Sequence, residues 1–148
     1  KERSATAFEG RKMATTLSVG IVVWPWLYVV QVGDSRCYHY QDGQLRQVTR
    51  DQTLAQEMID RGALTPERAH NSPLNHVLSS AIGADEALPE LSRVDVSQRG
   101  CITLLCSDGL TEEVDDPAIG RVLARADCSA QECAETLVAA ALDGGGSD

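Results

Sequence analysis

Three aspartates occupy similar positions in the sequence, each directly after an apolar or glycine-rich run. Asp34 follows LYVVQVG, Asp108 follows ITLLCS, and Asp148 follows GGGS. The end of a strand holds a side chain more rigidly than a loop does, and an adjacent glycine lets the backbone turn sharply toward a ligand. Several carboxylates without a cysteine or histidine ligand suit Mg²⁺ or Mn²⁺. Two such cations can polarise a phosphoryl group and supply a hydroxide for in-line attack.

Each of these aspartates also has a simpler interpretation. An acid beside glycine or serine is most often a turn residue that accepts backbone hydrogen bonds, and spacing alone does not show that the three converge. His39, His70 and His76 share no helical spacing and have no acid in register, which favours ordinary surface or core histidines. The sequence contains no G-x-S-x-G motif and no Walker-type glycine loop. The residues alone therefore leave both a metal site and a set of turns open.

The composition is that of a single globular domain. The chain has 148 residues, of which 43% are hydrophobic and 24% charged, and it is long enough to bury a sizeable core. With 13 basic and 22 acidic residues the net charge is −9, which argues against nucleic acid or an anionic membrane as a partner. No apolar run reaches the roughly 20 residues of a membrane span. The 5 cysteines form no CxxC pair, which indicates reduced thiols in a cytoplasmic protein and argues against disulfides or a zinc site.

Strand patterns and helix patterns follow one another along the chain. Residues 15–49 predict an antiparallel meander of about four strands, with turns at Pro25 and at Asp42-Gly43. A helix follows in DQTLAQEMIDRG, and residues 70–95 are assigned to loops and short helix. LSRVDVS and CITLLCS predict two strands paired with each other, and two helices follow them. This order favours an α+β sandwich of sheets and helices over a parallel βαβ fold.

Six segments, taken in order, resemble the metal-dependent Ser/Thr protein phosphatases of the type 2C class, and the bacterial members above all. The segments are MATTLSVGIV, LYVVQVGDSRCYHY, LRQVTRDQTL, IDRGALTPERAHNSPLNHVLSSAIG, ITLLCSDGLTEEV and AALDGGGSD. The resemblance covers the chain from about residue 10 to its end. It implies a sandwich of two antiparallel β-sheets flanked by helices (α-β-β-α), incomplete at the N-terminus and after Asp148.

The resemblance also implies a binuclear site for Mn²⁺ or Mg²⁺. Asp108 and Asp148 match two of the family's metal ligands. Asp34 matches the acid that, together with Asp108, holds a third, looser metal ion in bacterial members. The family's phosphate-holding arginine and metal-bridging aspartate have no counterpart in residues 1–13 and are expected upstream. No catalytic residue is therefore assigned within this chain.

Residues 52–83 match the family's flap, a segment beside the active site that influences substrate choice. Asn75 and Gly83 are assigned to its substrate side. The sequence departs from the family here, because DQT stands at residues 51–53 where the family has D-H-S, and Ser80 stands where it has an arginine. These departures touch the flap and the packing more than the metal ligands.

The function implied by the resemblance is hydrolysis of phosphoserine and phosphothreonine in proteins by a metal-activated water. The expected cofactors are two Mn²⁺ or Mg²⁺ ions with a third at Asp34. The expected partners are phosphorylated proteins, the substrates of a Ser/Thr kinase. A catalytically inactive, phosphatase-like binding or regulatory module is the alternative. Residues 1–148 would form about the C-terminal two-thirds of a catalytic domain and are expected to be inactive alone.

Overall fold

Two three-stranded antiparallel sheets form the centre of the molecule. A computed structural model describes residues 13–70, 72–84 and 87–146. The strands are β1 Leu17–Val23, β2 Trp26–Val32, β3 Arg36–Gln41, β4 Gln44–Gln47, β5 Glu90–Asp95 and β6 Ile102–Cys106. The first sheet has the order β1-β2-β5 and the second the order β4-β3-β6.

Helices occupy the stretches between the strands and the end of the chain. They are α1 Leu54–Asp60, α2 Pro66–His70, a 3₁₀ helix Pro73–His76, α3 Asp108–Thr111, α4 Asp116–Leu123 and α5 Ala130–Gly144. Side-chain oxygens of Thr53, Asp115 and Ser129 accept backbone N–H bonds at the starts of α1, α4 and α5, which satisfies donors that have no partner within the helix. None of the described helices is both long and apolar enough to cross a membrane.

The strands lie where the sequence predicts them, but two predicted pairings are wrong. The meander is divided between the sheets, because β1 pairs with β2 and β3 pairs with β4, while β2 and β3 belong to different sheets. The strands β5 and β6 do not pair with each other: β5 pairs with β2, and β6 pairs with β3. Adjacent strands in sequence favour a hairpin. β5 and β6 instead each pair with a strand that is distant in sequence.

The two sheets pack face to face, as the α+β sandwich predicts. Leu27 and Val29 of β2, Val94 of β5 and Cys37 of β3 are buried together between the sheets. Alternate residues of a strand point to opposite faces, so the neighbouring Tyr38 of β3 points the other way. Its side chain is fully buried under the helices.

A second apolar core lies between the β4-β3-β6 sheet and helices α3 to α5. Its buried members are Tyr38, Val114, Ile119, Leu123, Cys133 and Leu137. The outward-facing residues of β1 contrast with this core, since Val19, Ile21 and Val23 are 38%, 50% and 58% exposed. Within the described residues the helices thus bury the β4-β3-β6 sheet more completely than the β1-β2-β5 sheet, and they fix the strand that leads to Asp108.

Candidate active site

Strand pairing brings Asp34 and Asp108 to the same edge of the sandwich. The last pair in the ladder between β3 and β6 is Arg36 opposite Cys106. Asp34 lies two residues before Arg36, and Asp108 lies two residues after Cys106, on neighbouring antiparallel strands. Both aspartates line one cavity of about 530 Å³. The sequence places these acids far apart, and the ladder makes them neighbours.

The turn that carries Asp34 is fastened by buried hydrogen bonds. The N–H of Gly33 donates to Oε1 of Gln52 at 2.7 Å, and its carbonyl accepts from Nε2 of Gln31 at 2.7 Å and from the N–H of Gln52 at 3.1 Å. Gly33 has a φ of 102°, and a Cβ there would lie 2.5 Å from the Thr16 side chain. Only glycine fits this turn, so the position of Asp34 is set by backbone geometry.

Asp108 begins helix α3 directly after its strand. Ser107 is extended and Asp108 is the first helical residue, so the chain changes direction at this carboxylate. One carboxylate oxygen of Asp108 accepts the N–H of Gly109 at 3.0 Å. The other has no hydrogen bond within the described residues. Asp108 therefore accepts a backbone hydrogen bond where the chain turns, and its second carboxylate oxygen remains available to a ligand in the cavity.

The surroundings of Asp34 disfavour its negative charge. Burial raises the pKa of Asp34 above its usual value, and the charge of the nearby Asp108 raises it further, with a smaller contribution from Asp51. Two carboxylates held close together resist ionising at the same time unless a positive charge joins them. A divalent cation with oxygen ligands supplies such a charge.

The cavity wall is strongly acidic. Its lining contains seven acids against one arginine and one histidine, together with Asn75 and Thr111. The acids are Asp34, Asp51, Asp108, Glu112, Glu113, Asp115 and Asp116. Within the described residues, however, no group of three His, Cys, Asp or Glu side chains converges closely enough to hold a metal ion. The donor chemistry thus fits Mg²⁺ or Mn²⁺, while the described ligand set is partial.

Arg36, the arginine of this wall, is already occupied by protein groups. Its Nε lies 3.0 Å from each carboxylate oxygen of Asp51, and its Nη2 lies 2.6 Å from Oδ2. Its Nη1 donates to the Tyr38 hydroxyl at 3.0 Å, and that hydroxyl donates to Asp116 at 2.8 Å. Burial lowers the pKa of Arg36, but the hydrogen bond and charge of Asp51 outweigh burial and raise it overall. We call Arg36, Asp51, Tyr38 and Asp116 the arginine clamp. It stiffens the wall and leaves this guanidinium little capacity for a phosphate.

The predicted flap, residues 52–83, is hydrogen-bonded at its base to the turn that precedes Asp34. Thr53 forms an isolated β-bridge with Leu78. On either side of it, the N–H of Leu54 donates to Val77 O at 2.9 Å and the N–H of Ser79 donates to Gln52 O at 2.8 Å. Gln52 is 3% exposed and also holds the Gly33 turn. The sequence signalled this position only as a departure from the family's D-H-S, and its tethering role was missed.

The other predicted site residues lie in different places. Asn75, on the 3₁₀ helix, lines the cavity. Gly83 is not among the lining residues; its φ is 90°, and a Cβ there would lie 2.3 Å from the carbonyl oxygen of Met13. Close packing against the backbone therefore explains this glycine structurally. Asp148 lies outside the described residues.

His76 lines the same cavity and was not predicted to do so. Its Nδ1 lies 2.8 Å from Oε1 of Glu112, which follows α3. The sequence interpretation of this histidine as one without a partner acid is wrong, because the acid comes from a distant part of the chain. Ser80, at the family's arginine position, is buried and accepts the N–H of Leu88 at 2.9 Å.

Comparisons with known proteins agree on one class, the bacterial Ser/Thr protein phosphatases of the PP2C type, although no family model matches the chain. The serine/threonine protein phosphatase PstP of Mycobacterium tuberculosis is 38% identical over 136 residues, which is 92% of this chain and 26% of PstP. The serine/threonine phosphatase stp of Listeria welshimeri is 34% identical over 136 residues, 92% of this chain and 54% of that protein.

Solved structures agree on the fold. The catalytic domain of PstP in complex with two manganese ions superposes with a TM-score of 0.78 at 37% identity, over 91% of this chain and 55% of that structure. The homologues of this chain are thus PP2C-type Ser/Thr phosphatases, and its two-sheet fold is theirs. The chain spans about half the length of stp and about a quarter of PstP. Because these relatives are named as phosphatases, the alternative of an inactive binding module is not favoured.

Proposed function

We propose that the protein hydrolyses phosphoserine and phosphothreonine in other proteins, using a water activated by bound metal ions. The observation that carries this proposal is the pairing of Asp34 and Asp108 at one edge of the sandwich, inside an acidic cavity. Its homology to bacterial Ser/Thr phosphatases supports the reaction class.

The proposed cofactors are two Mn²⁺ ions, for which Mg²⁺ can substitute, with a third ion at Asp34. Asp108 and Asp148 would hold the principal ions, and Asp34 with Asp108 the third. When bound, the ions supply an activated water and polarise the phosphoryl group. The manganese-containing structure of PstP supports the choice of metal.

The acidic lining would admit a phosphate only after divalent cations have bound to the protein. Seven acids repel a free phosphate dianion, and compensation by bound divalent ions reverses the local field. The hydrogen bonds of the arginine clamp hold β3 and α4 in fixed positions relative to each other beside the cavity. Charged groups that are already fixed in place do not need to rearrange when charge develops in the transition state.

We further propose that residues 1–148 are part of the catalytic domain and that residues 52–83 act as its flap. Asn75, on the cavity wall, would contact the polypeptide around the phosphorylated residue. The physiological partners would be the phosphorylated products of a Ser/Thr kinase, which places the protein in signal transduction. A cytoplasmic location is supported by the 5 free cysteines.

The proposal is tested with the full-length protein and phosphothreonine peptides. Phosphate release should require Mn²⁺ or Mg²⁺ and should be lost on chelation. Asp127→Asn is the matched control for Asp108→Asn, because the Asp127 side chain is 79% exposed and is not among the residues that line the cavity. Absence of metal-dependent phosphate release from peptides and from p-nitrophenyl phosphate would refute the proposed function.

A further inference from the structure

Two of the 5 cysteines meet at the start of helix α5. Ser129 is the N-cap of this helix, and Cys128 precedes it by one residue. Cys133 is the fourth helical residue, because the helix begins at Ala130. Side chains at these two positions often pack against each other where a chain enters a helix. The capping box of Ser129 and Glu132 is complete, so the backbone holds the two cysteines in this arrangement.

The side chains of these two cysteines are in contact. A side-chain hydrogen bond joins Cys128 to Cys133. Cys133 is a buried member of the core under helices α3 to α5, and Cys128 packs against that core. The Sγ of Cys133 also donates to the carbonyl oxygen of Val122 on α4 at 3.7 Å. Contact is the first requirement for a disulfide, since cysteines that lie far apart cannot be joined without movement of the backbone.

The two thiols differ in their access to solvent. Cys133 is 5% exposed, whereas Cys128 is half-buried and lines a surface depression together with Arg125, Asp127 and Glu132. A dissolved oxidant can therefore reach Cys128 first, and Cys133 lies behind it. Redox-active cysteines often have this arrangement, in which an accessible thiol has a second thiol beside it that resolves the first oxidation product.

The surroundings of Cys128 determine how its oxidation depends on pH. Burial raises the pKa of Cys128, the hydrogen bond with Cys133 raises it further, and the positive charge of Arg125 partly offsets both. The thiolate is the form of cysteine that attacks an oxidant. Because the thiolate fraction grows as the pH approaches a raised pKa, oxidation should be slow near pH 7 and faster near pH 9.

We propose that Cys128 and Cys133 form a reversible disulfide when the protein meets hydrogen peroxide, with Cys128 as the thiol that is oxidised first. The thiolate of Cys128 attacks one peroxide oxygen, the oxygen–oxygen bond breaks, and Cys128 becomes a sulfenic acid while hydroxide leaves. The thiolate of Cys133 then attacks the sulfur of Cys128, which forms the sulfur–sulfur bond and expels a second hydroxide. The two hydroxides take up the two thiol protons, so two thiols and one peroxide give one disulfide and two waters. Dithiothreitol reverses the reaction by thiol–disulfide exchange.

The test uses the folded, full-length protein with hydrogen peroxide and glutathione. Both cysteines lie in one tryptic peptide, because Arg125 precedes them and neither lysine nor arginine separates them. After alkylation of the remaining thiols, this peptide should carry no alkyl group on Cys128 or Cys133 and should lack two hydrogen atoms. Cleavage after Glu132, which lies between the cysteines, should leave two fragments that separate only after reduction.

Substitutions of single cysteines identify the resolving thiol. Cys133→Ser keeps a donor for the Val122 carbonyl but cannot form the disulfide, so glutathione should accumulate on Cys128 at least about tenfold more than in the wild type. Cys101→Ser removes another half-buried thiol outside this pair and is the matched control, which should leave the disulfide unchanged. In the wild type, raising the pH from about 7 to about 9 should speed disulfide formation several-fold.

Three results would overturn the inference. Complete alkylation of Cys128 after peroxide treatment would show that the oxidant does not react there. Equal amounts of glutathione on Cys128 in the wild type and in Cys133→Ser would show that Cys133 does not resolve the oxidised thiol. A disulfide from either cysteine to a third one, in place of this pair, would show that their contact is not maintained in solution. None of these readouts depends on phosphatase activity, so each result leaves the proposed function standing.

Discussion

The two sides of the cavity are built differently. One side consists of β3, β6 and the arginine clamp, where Asp34 and Asp108 are set by a strand ladder and by part-buried hydrogen bonds. The other side is the flap, whose 3₁₀ helix is attached by a few backbone bonds at its base and by the exposed His76–Glu112 pair. Under the proposed function, the rigid side would hold the metal ions and the loosely attached side would contact the substrate.

The largest effect should come from Asp108 on the rigid wall. Asp108→Asn should lower Mn²⁺-dependent turnover of the full-length protein by at least about 100-fold, because bound metal ions contribute several kcal/mol to transition-state stabilisation. The melting temperature should stay close to that of the wild type. Turnover at the wild-type rate would show that this carboxylate is only a turn acid, and Asp127→Asn controls for the loss of a surface charge.

Breaking the arginine clamp should reduce stability substantially. Arg36→Met removes the cationic partner of Asp51, whose side chain is 12% exposed, and leaves it the hydrogen bond from Gln47 Nε2. The substitution also removes a donor to Tyr38. We expect the free energy of unfolding to fall by about 2–3 kcal/mol. This is less than the roughly 3–5 kcal/mol lost when a fully buried ion pair is broken, because water reaches the Arg36 side chain. Urea denaturation measures this loss. Arg61→Met, which removes an exposed pair with Glu57 on the flap, should cost under about 0.5 kcal/mol, and equal losses would contradict the contrast.

The cysteine thiols of β3 and β6 should react more slowly in the folded protein than in the denatured protein. Burial raises the pKa of Cys37 on β3 to about 11 and that of Cys106 on β6 to about 11. Both thiols therefore stay protonated at pH 8, and their thiolate fraction grows only as the pH approaches 11. Iodoacetamide at pH 8 should alkylate them at least about tenfold more slowly than in the denatured protein. Mass spectrometry of each cysteine reads the rates, and alkylation as fast as in denaturant would refute this burial.

Changes in the flap should have the smallest effects, and these should be limited to backbone mobility and to the preference among phosphopeptide substrates. Backbone amides of residues 72–79 should exchange with deuterium faster than those of β3 and β6, because a few hydrogen bonds hold them. Exchanging residues 52–83 for those of a relative should shift the preference among phosphopeptides several-fold while changing p-nitrophenyl phosphate turnover less. Equal changes for both substrate types would argue against a substrate-selecting flap.

Local sequence patterns predicted the positions of strands and helices better than they predicted which strands pair. The hairpin at Asp42-Gly43, the N-terminal cap at Ser129 and the strand before Asp108 were all predicted correctly, since each depends on neighbouring residues. The pairings of β5 and β6 were wrong because partner choice depends on which distant strand offers a matching face, and period-two alternation does not encode it.

The candidate site shows the same limit. A family resemblance was needed to connect Asp34 with Asp108, and the structure then places them in one cavity. The Arg36–Asp51 and His76–Glu112 pairs were missed, since each joins residues outside any local periodicity. Gln52 is the exception, because its departure from the family's histidine marked a position worth inspecting.

Manganese binding tests the central claim most directly. Calorimetric titration of the full-length wild type, Asp108→Asn and Asp127→Asn with Mn²⁺ isolates the contribution of the strand-end carboxylate from that of surface charge. Residues that merely orient a metal ligand cost about 10–100-fold in affinity when removed, so loss of the ligand itself should weaken binding by at least about 100-fold. Asp127→Asn should bind as the wild type does. Equal Mn²⁺ affinity in Asp108→Asn and the wild type would contradict the account.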